Sequence, residues 1–325
     1  MGRAVRTAYL IPMKINPETT AYVFPGQGSQ FVGMGAELAD ASPVAKAVFQ
    51  EADDLLGYSL SELCWNGPEE TLNETEYTQP ALLTHAVAAL SAAREQFPEL
   101  QAASTAGHSL GQFSALVAAG AMDFSSALVA VRERGLAMKS AGDLQPGGMA
   151  AVLGIDIDTV EESCRQASEK VSGGVWVAND NCPGQVVISG HDEALDIVAG
   201  LLKDAGARKV VRLAVSIAAH SPLMQTAQQR LNEALESVTI EDPRIQVIGN
   251  VNAQPLKGRE EVVQDLQSQL TSRVRWTESI QAMLDQRIDT FIEIGSGNVL
   301  TGLLKRIDRS AKGIAIDNPE SWETL

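Results

Sequence analysis

The sequence predicts an α/β protein with a small second domain set into a larger one. Three observations carry that expectation. Short apolar runs ending at glycine or proline alternate with longer alanine-rich or amphipathic stretches, the pattern of strands feeding helices. The texture breaks at Pro146-Gly147-Gly148. Beyond the break, short elements follow in the order βαββαβ until about residue 213.

Taken in order, Tyr22-Val23-Phe24 is a strand stopped by Pro25-Gly26. Helical patterns cover Ala45–Leu56 and Gln79–Phe97. The small residues of Gln101–Ala106 lead into a turn at Gly107, and Leu110–Gly120 has the composition of a buried helix. Ala121-Met122-Asp123 breaks that helix, and Phe124–Ser140 forms the next. After the break, Met149–Leu153 reads as a strand, Thr159–Glu169 as a helix, and Val175–Ala178 and Val186–Ser189 as strands. Asp192–Ala205 then reads as a helix and Lys209–Leu213 as a strand, which completes a ferredoxin-like unit over 147–213. The larger domain then comprises 20–146 and 214–310, with Ile245–Val251 and Thr290–Ile294 as later strands. Residues 1–19 read as a mobile N-terminal extension, too short in apolar content for a signal peptide.

Composition narrows the function. The chain has 325 residues, 45% of them hydrophobic, enough for a sizeable core without disulfides. A net charge of -16 argues against binding nucleic acid or an anionic membrane. No apolar run is long enough to span a bilayer. Three cysteines, Cys64, Cys164 and Cys182, have no CxxC spacing, which fits a reducing cytoplasm and gives no zinc signature.

Gly107-His108-Ser109-Leu110-Gly111 fits the nucleophile-elbow pattern Gly-x-Ser-x-Gly. Small residues on each side allow a sharp strand-to-helix turn that lifts the serine hydroxyl outward. A serine that merely caps a helix is the plainer alternative. Pro25-Gly26-Gln27-Gly28-Ser29-Gln30 follows the first strand and admits three readings. It is a phosphate cradle, although the Lys-Ser/Thr ending of a P-loop is absent. It is a plain glycine-rich connection. Or it supplies the second amide of an oxyanion hole, the first being that of Leu110 and the second that of Gln27.

Among four histidines, His220 is placed to act as a base, at the end of the strand-like run Leu213–Ala219 and before Ser221-Pro222. An ordinary histidine at a helix start is the alternative. His108 sits inside the elbow and is expected to line the site, with its side chain directed away from that of Ser109. Arg134 lies at the edge of the inward stripe Ala127, Val131, Met138. An arginine facing a core is costly unless paired. It either pairs with a core carboxylate or waits for the carboxylate of a substrate. Asn179–Gln185 reads as a polar loop that turn chemistry alone explains, or as a lining of the cleft between the domains. Cys182 has no local base and is not expected to be a nucleophile.

Together these segments resemble the malonyl-CoA:acyl-carrier-protein transacylases, including the acyltransferase domains of fatty-acid and polyketide synthases. The matching stretches are Phe24–Gln30, Gly107–Gly111, Arg134-Gly135, Asn181–Gly190, His220–Met224 and Glu293–Leu300, in family order from about 21 to 306. The resemblance implies an α/β-hydrolase-like large domain with the ferredoxin-like insertion. It implies Ser109 as nucleophile, His220 as base, the Gln27 and Leu110 amides as oxyanion hole, and Arg134 on the malonyl carboxylate. It implies that the backbone carbonyl of Gln269, rather than an acidic side chain, orients His220, and that Asn179 and Asn181 line the site. No metal or bound cofactor is implied. The partners would be malonyl-CoA and acyl carrier protein, and the enzyme would be a cytoplasmic monomer.

Two positions depart from the family. Ala219 stands where an aromatic residue or serine often precedes the histidine, which bears on malonyl against methylmalonyl preference. Ser296 stands where a Gly-Pro-Gly turn often has proline, a change expected to affect local stiffness. Because carrier proteins are acidic, a local basic patch is expected from Arg273, Arg275, Lys305, Arg306, Lys203 and Arg208. A serine hydrolase of esters or thioesters, or an idle scaffold of the same fold, are the other classes; Arg134 speaks against the first, and the joint presence of Ser109, His220 and Arg134 against the second.

Overall fold

The computed structural model describes residues 15–324. Ten strands occur among them: β1 (Thr20–Phe24), β2 (Ser104–Gly107), β3 (Gly148–Leu153), β4 (Val175–Cys182), β5 (Gln185–Gly190), β6 (Lys209–Arg212), β7 (Gln246–Ile248), β8 (Pro255–Leu256), β9 (Thr290–Ile294) and β10 (Lys312–Ile316). They form two sheets. The larger runs β10-β9-β1-β2-β7-β8, parallel except for β8. The smaller runs β4-β5-β3-β6, all antiparallel. This is the ferredoxin-like strand order, and the structure is the expected α/β fold with that unit inserted. The large sheet reaches Lys312–Ile316, past the expected limit at 310.

β1 is buried along its whole length, as a central parallel strand must be. Helices Thr75–Gln96, Gly111–Ala118 and Phe124–Leu144 pack with it in one large core. The small sheet has its own core, with Val160 and Cys164 of helix Ile157–Ser168 and Leu195 and Val198 of helix Asp192–Asp204 against Val152, Val177 and Ile188. β3 alternates buried and half-buried residues, the period of a sheet with one covered face.

Several sequence expectations are corrected. The helix expected from Gln79 begins at Thr75 and contains Pro80. Proline removes the hydrogen bond that the Glu76 carbonyl would accept. Arg132 Nη1 donates to that carbonyl instead, at 2.6 Å. Leu213–Ala219 is not a strand. β4 runs on through the segment expected as a loop, because its backbone finds a partner in the large domain. Asp180 N–H donates to Val274 C=O and Val274 N–H to Ala178 C=O, each at 2.9 Å. Of the extension expected to be mobile, 1–14 lie outside the described residues. In the remainder, Ile15 packs on the large core and Asn16 Oδ1 caps a short 3-10 turn, Pro17–Thr19.

Candidate active site

The elbow is a tight steric fit. A Cβ at Gly107 would lie 1.9 Å from Gly111 C, and one at Gly111 would lie 2.2 Å from Phe24 O. Only glycine permits this close crossing of β1, the turn and the following helix. Ser109 itself has φ 53°, a left-handed conformation that strains a non-glycine residue by about 1–3 kcal/mol. The loop after β1 lies directly against it, since a Cβ at Gly26 would meet His108 O at 2.5 Å. Among the described residues, the backbone N–H groups of Gln27 and Leu110 have no acceptor within the chain.

Ser109 Oγ lies 2.8 Å from His220 Nε2 and 3.0 Å from Arg134 Nη2. His220 also has a left-handed φ, 60°. Its Nδ1 faces two carbonyls, Gln269 O at 3.0 Å and Ser272 O at 3.2 Å. Carbonyls only accept, so Nδ1 carries the proton and Nε2 presents its lone pair to the serine. Gln269 ends the helix Arg259–Gln269. The negative end of that helix dipole stands where a triad would place a carboxylate. Burial, then the Arg134 charge, pulls the imidazole from its ordinary range down to about 3, so the resting ring is neutral.

Arg134 is 1% exposed. Nη1 donates to Gln79 Oε1 at 2.6 Å, and Nη2 to Gln269 Oε1 at 3.0 Å. Its Nε–H is buried without a partner among the described residues. No carboxylate among them pairs with it, so the core salt bridge left open by the sequence is absent. Burial lowers the guanidinium to about 9, still protonated at neutral pH. Gln79 continues the chain. Its Nε2 donates to Thr75 Oγ1 at 2.8 Å, and Thr75 Oγ1 donates to Gln27 Oε1 at 2.9 Å. A relay of side chains thus joins the arginine to the loop after β1.

From the small domain, Asn181 Oδ1 accepts from His108 Nε2 at 2.8 Å. The His108 ring meets Trp276 edge-on, with centroids 5.5 Å apart. Asn179 is buried on the same strand, bridged to Val274. Burial pushes the Cys182 thiol up, which suppresses its thiolate. Among the described residues no cluster of His, Cys, Asp or Glu could hold a metal ion, and no helix is long and apolar enough to cross a membrane.

Sequence reasoning missed Gln79 and Asn250. Gln79 looked like one more position in a helical pattern. Asn250 was read only as part of the Ile245–Val251 strand, although it lies beyond β7. Ser296 also does more than expected. Its hydroxyl donates to Ser29 O at 2.5 Å and ties the turn after β9 to the glycine-rich loop, a bond proline could not make. The expected basic patch divides. Arg273 pairs with Glu161 and Glu278, and Arg275 with Glu278, so their charges are met. Arg208 and Arg306 instead meet around a cavity of about 540 Å³ between Gly154 and Gly184.

Comparison with known proteins places the chain in a family. The acyl transferase domain family matches residues 21–317. The malonyl CoA-acyl carrier protein transacylase of Bacillus subtilis is 43% identical over 93% of this chain and 95% of its own length. That of Haemophilus influenzae is 42% identical over 94% and 97%. Among solved structures, the transacylase of Coxiella burnetii superposes with TM-score 0.91 at 39% identity, covering 95% of this chain and 96% of that one. A polyketide malonyl-transacylase solved in complex with its acyl-carrier protein gives TM-score 0.88 at 40% identity, over 94% and 98%. The nucleophile elbow, its histidine and its unpaired arginine therefore sit in a chain that belongs to the malonyl-CoA:acyl-carrier-protein transacylase family of acyltransferases.

Proposed function

We propose that this enzyme moves a malonyl group from malonyl-CoA to the phosphopantetheine thiol of acyl carrier protein, through a malonyl ester on Ser109, and so supplies fatty-acid synthesis. The observation that carries this reading is the position of Ser109 Oγ, within 3.0 Å of both His220 Nε2 and the acid-free Arg134. One contact activates the hydroxyl. The other places an unpaired cation beside it, where the free carboxylate of a malonyl group would lie.

His220 Nε2 takes the hydroxyl proton as Oγ attacks the thioester carbon. The oxyanion forms opposite the Leu110 and Gln27 amides. Collapse breaks the C–S bond, and the proton on Nε2 passes to the departing CoA sulfur. The carrier thiol then enters, gives its proton to Nε2, and attacks the serine ester. Oγ leaves and recovers that proton. The Gln269 and Ser272 carbonyls hold the imidazolium in both halves. A thioester is already activated, so the sequence of steps calls on no metal or redox cofactor. His108 and Asn181 line the small-domain side of the site. Buried, free cysteines suit a cytoplasmic protein, and monomeric action suffices because one chain supplies every group named.

Intact-protein mass spectrometry after mixing with malonyl-CoA tests this. The enzyme should gain one malonyl group, lose it on addition of phosphopantetheinylated carrier, and fail to gain it as Ser109→Ala. A malonyl adduct that survives Ser109→Ala would overturn the assignment.

A further inference from the structure

Ser109 is strained, and the carboxamide of Asn250 bonds the backbone at the strained residue and before it. Asn250 is 1% exposed. Its Oδ1 accepts from the Ser109 N–H at 2.8 Å. Its Nδ2 donates to the Gly107 carbonyl at 2.7 Å and to Gln112 Oε1 at 2.9 Å. One side chain therefore grips the elbow before, at and after the nucleophile. Both ends of the amide are used, so its orientation is fixed by the chemistry of its partners.

Asn250 is itself anchored. Asp265 lies in the helix Arg259–Gln269, and its carboxylate accepts from the Asn250 N–H at 3.3 Å and the Val251 N–H at 3.0 Å. The same helix ends at Gln269. The Gln269 carbonyl holds His220, and its Nε2 donates to the Ser109 carbonyl at 3.0 Å. One rigid element thus sets nucleophile and base together.

We propose that Asn250 is a positioning residue that keeps Ser109 in its left-handed conformation, with Oγ aimed at His220, and that Asp265 acts through it. Asn250 lies beneath the elbow, bonded to the backbone at Gly107 and Ser109. Its loss should therefore lower the rate of ester formation rather than the affinity for malonyl-CoA. This inference rests on the reading of Ser109 as nucleophile.

The test compares single-turnover malonylation of wild type, Asn250→Ala and Asn250→Asp, with folded fraction followed by circular dichroism. Asn250→Ala should lower the maximal loading rate about 100-fold and leave KM within about threefold. Labelling by a small fluorophosphonate, which carries no carboxylate for Arg134, should fall by a similar factor. Asn250→Asp keeps the acceptor for the Ser109 N–H but loses the donor to Gly107 until its carboxyl is protonated. Its deficit relative to wild type should therefore shrink as pH falls from 8 to about 5. That readout remains available if the alanine variant does not fold. Loading at the wild-type rate by folded Asn250→Ala would overturn the proposal, as would a deficit in Asn250→Asp that does not change with pH. Failure of the underlying reading would look different, with no wild-type label on Ser109 at all.

Discussion

The two sides of the candidate site are built by different physics. The large-domain side is a dense polar lattice. Ser109, His220, Arg134, Gln79, Gln269 and Asn250 are bonded to one another, and Ser109 and His220 both sit at left-handed φ. The small-domain side is a regular antiparallel sheet over an apolar core, and it sends Asn181 to His108. The strained backbone of Ser109 and His220 and the buried polar side chains around them stand where the proposed reaction would develop and move charge. Stability is supplied elsewhere by ordinary burial. The contrast predicts that changes in the first side cost rate and that changes in the second cost stability.

His220, the proposed base, should show a larger effect than Arg134 or Ile188. His220→Ala should slow malonyl loading by about 10³-fold, within the usual span for a general base. The acid side of the pH profile sharpens the point. The folded pKa lies below the ordinary histidine value, at about 3. The ring therefore stays unprotonated as pH falls through 6.5, and kcat/KM for loading should remain nearly flat there. Stability behaves oppositely. Below about 6.5 the unfolded chain takes up a proton that the buried ring refuses, so His220 withdraws stability as pH falls from 6.5 toward 3. Stopped-flow loading and urea melts between pH 5 and 8 check both. A rate that halves near pH 6.5 would mean the imidazole is more hydrated than its burial implies.

Arg134→Ala should come next. Malonyl loading should fall about 100-fold or more, because the proposed function has Arg134 meet the malonyl carboxylate through charge-assisted bonds that alanine cannot make. Loading from acetyl-CoA, which offers no carboxylate, should change far less. A parallel loss for both acyl groups would mean that Arg134 serves the Ser109 hydroxyl it touches rather than the substrate, and the candidate site would lose its selective side. Urea melts of the same variant separate these from a fold defect, since Gln79 Oε1 and Gln269 Oε1 lose their donor.

The same contrast governs what the sequence disclosed. The small domain was legible because its information is local. Short apolar runs such as Met149–Leu153 and Val186–Ser189, the helical stretches between them and the Pro146-Gly147-Gly148 break set the βαββαβ order without knowledge of any distant residue. The elbow was legible because sterics demand glycine at Gly107 and Gly111. Asn250 and Gln79 were not legible, because their partners lie 141 and 55 positions away and nothing in the nearby pattern marks them. The Asn179–Cys182 segment was misread for a related reason. Its polar composition suits a loop, but a backbone ladder to Val274 extends the strand. Leu213–Ala219 was misread in the other direction. Its apolar run suits a strand, but the left-handed turn at His220 and the Ser221 hydroxyl on Ala218 O, at 2.6 Å, hold the chain as an irregular connection.

The smallest rate effect should come from the centre of the small domain. Ile188 is fully buried between Ala150 and Val177 on neighbouring strands. Ile188→Ala should destabilise the protein by about 2–5 kcal/mol, from lost transfer energy and the cavity left behind. Ile188→Val should cost about 1 kcal/mol. In buffer without denaturant, where either variant is folded, malonyl loading should stay within about twofold of wild type, since distant sites without shared partners act independently. The route by which it could fail is visible. Asn181 sits on β4, and β4 is paired to β5, so a shift of Ile188 could travel to His108. A tenfold loss of loading in folded Ile188→Val would show that this path is stiff. The small domain would then help to set the geometry of the elbow as well as cover it.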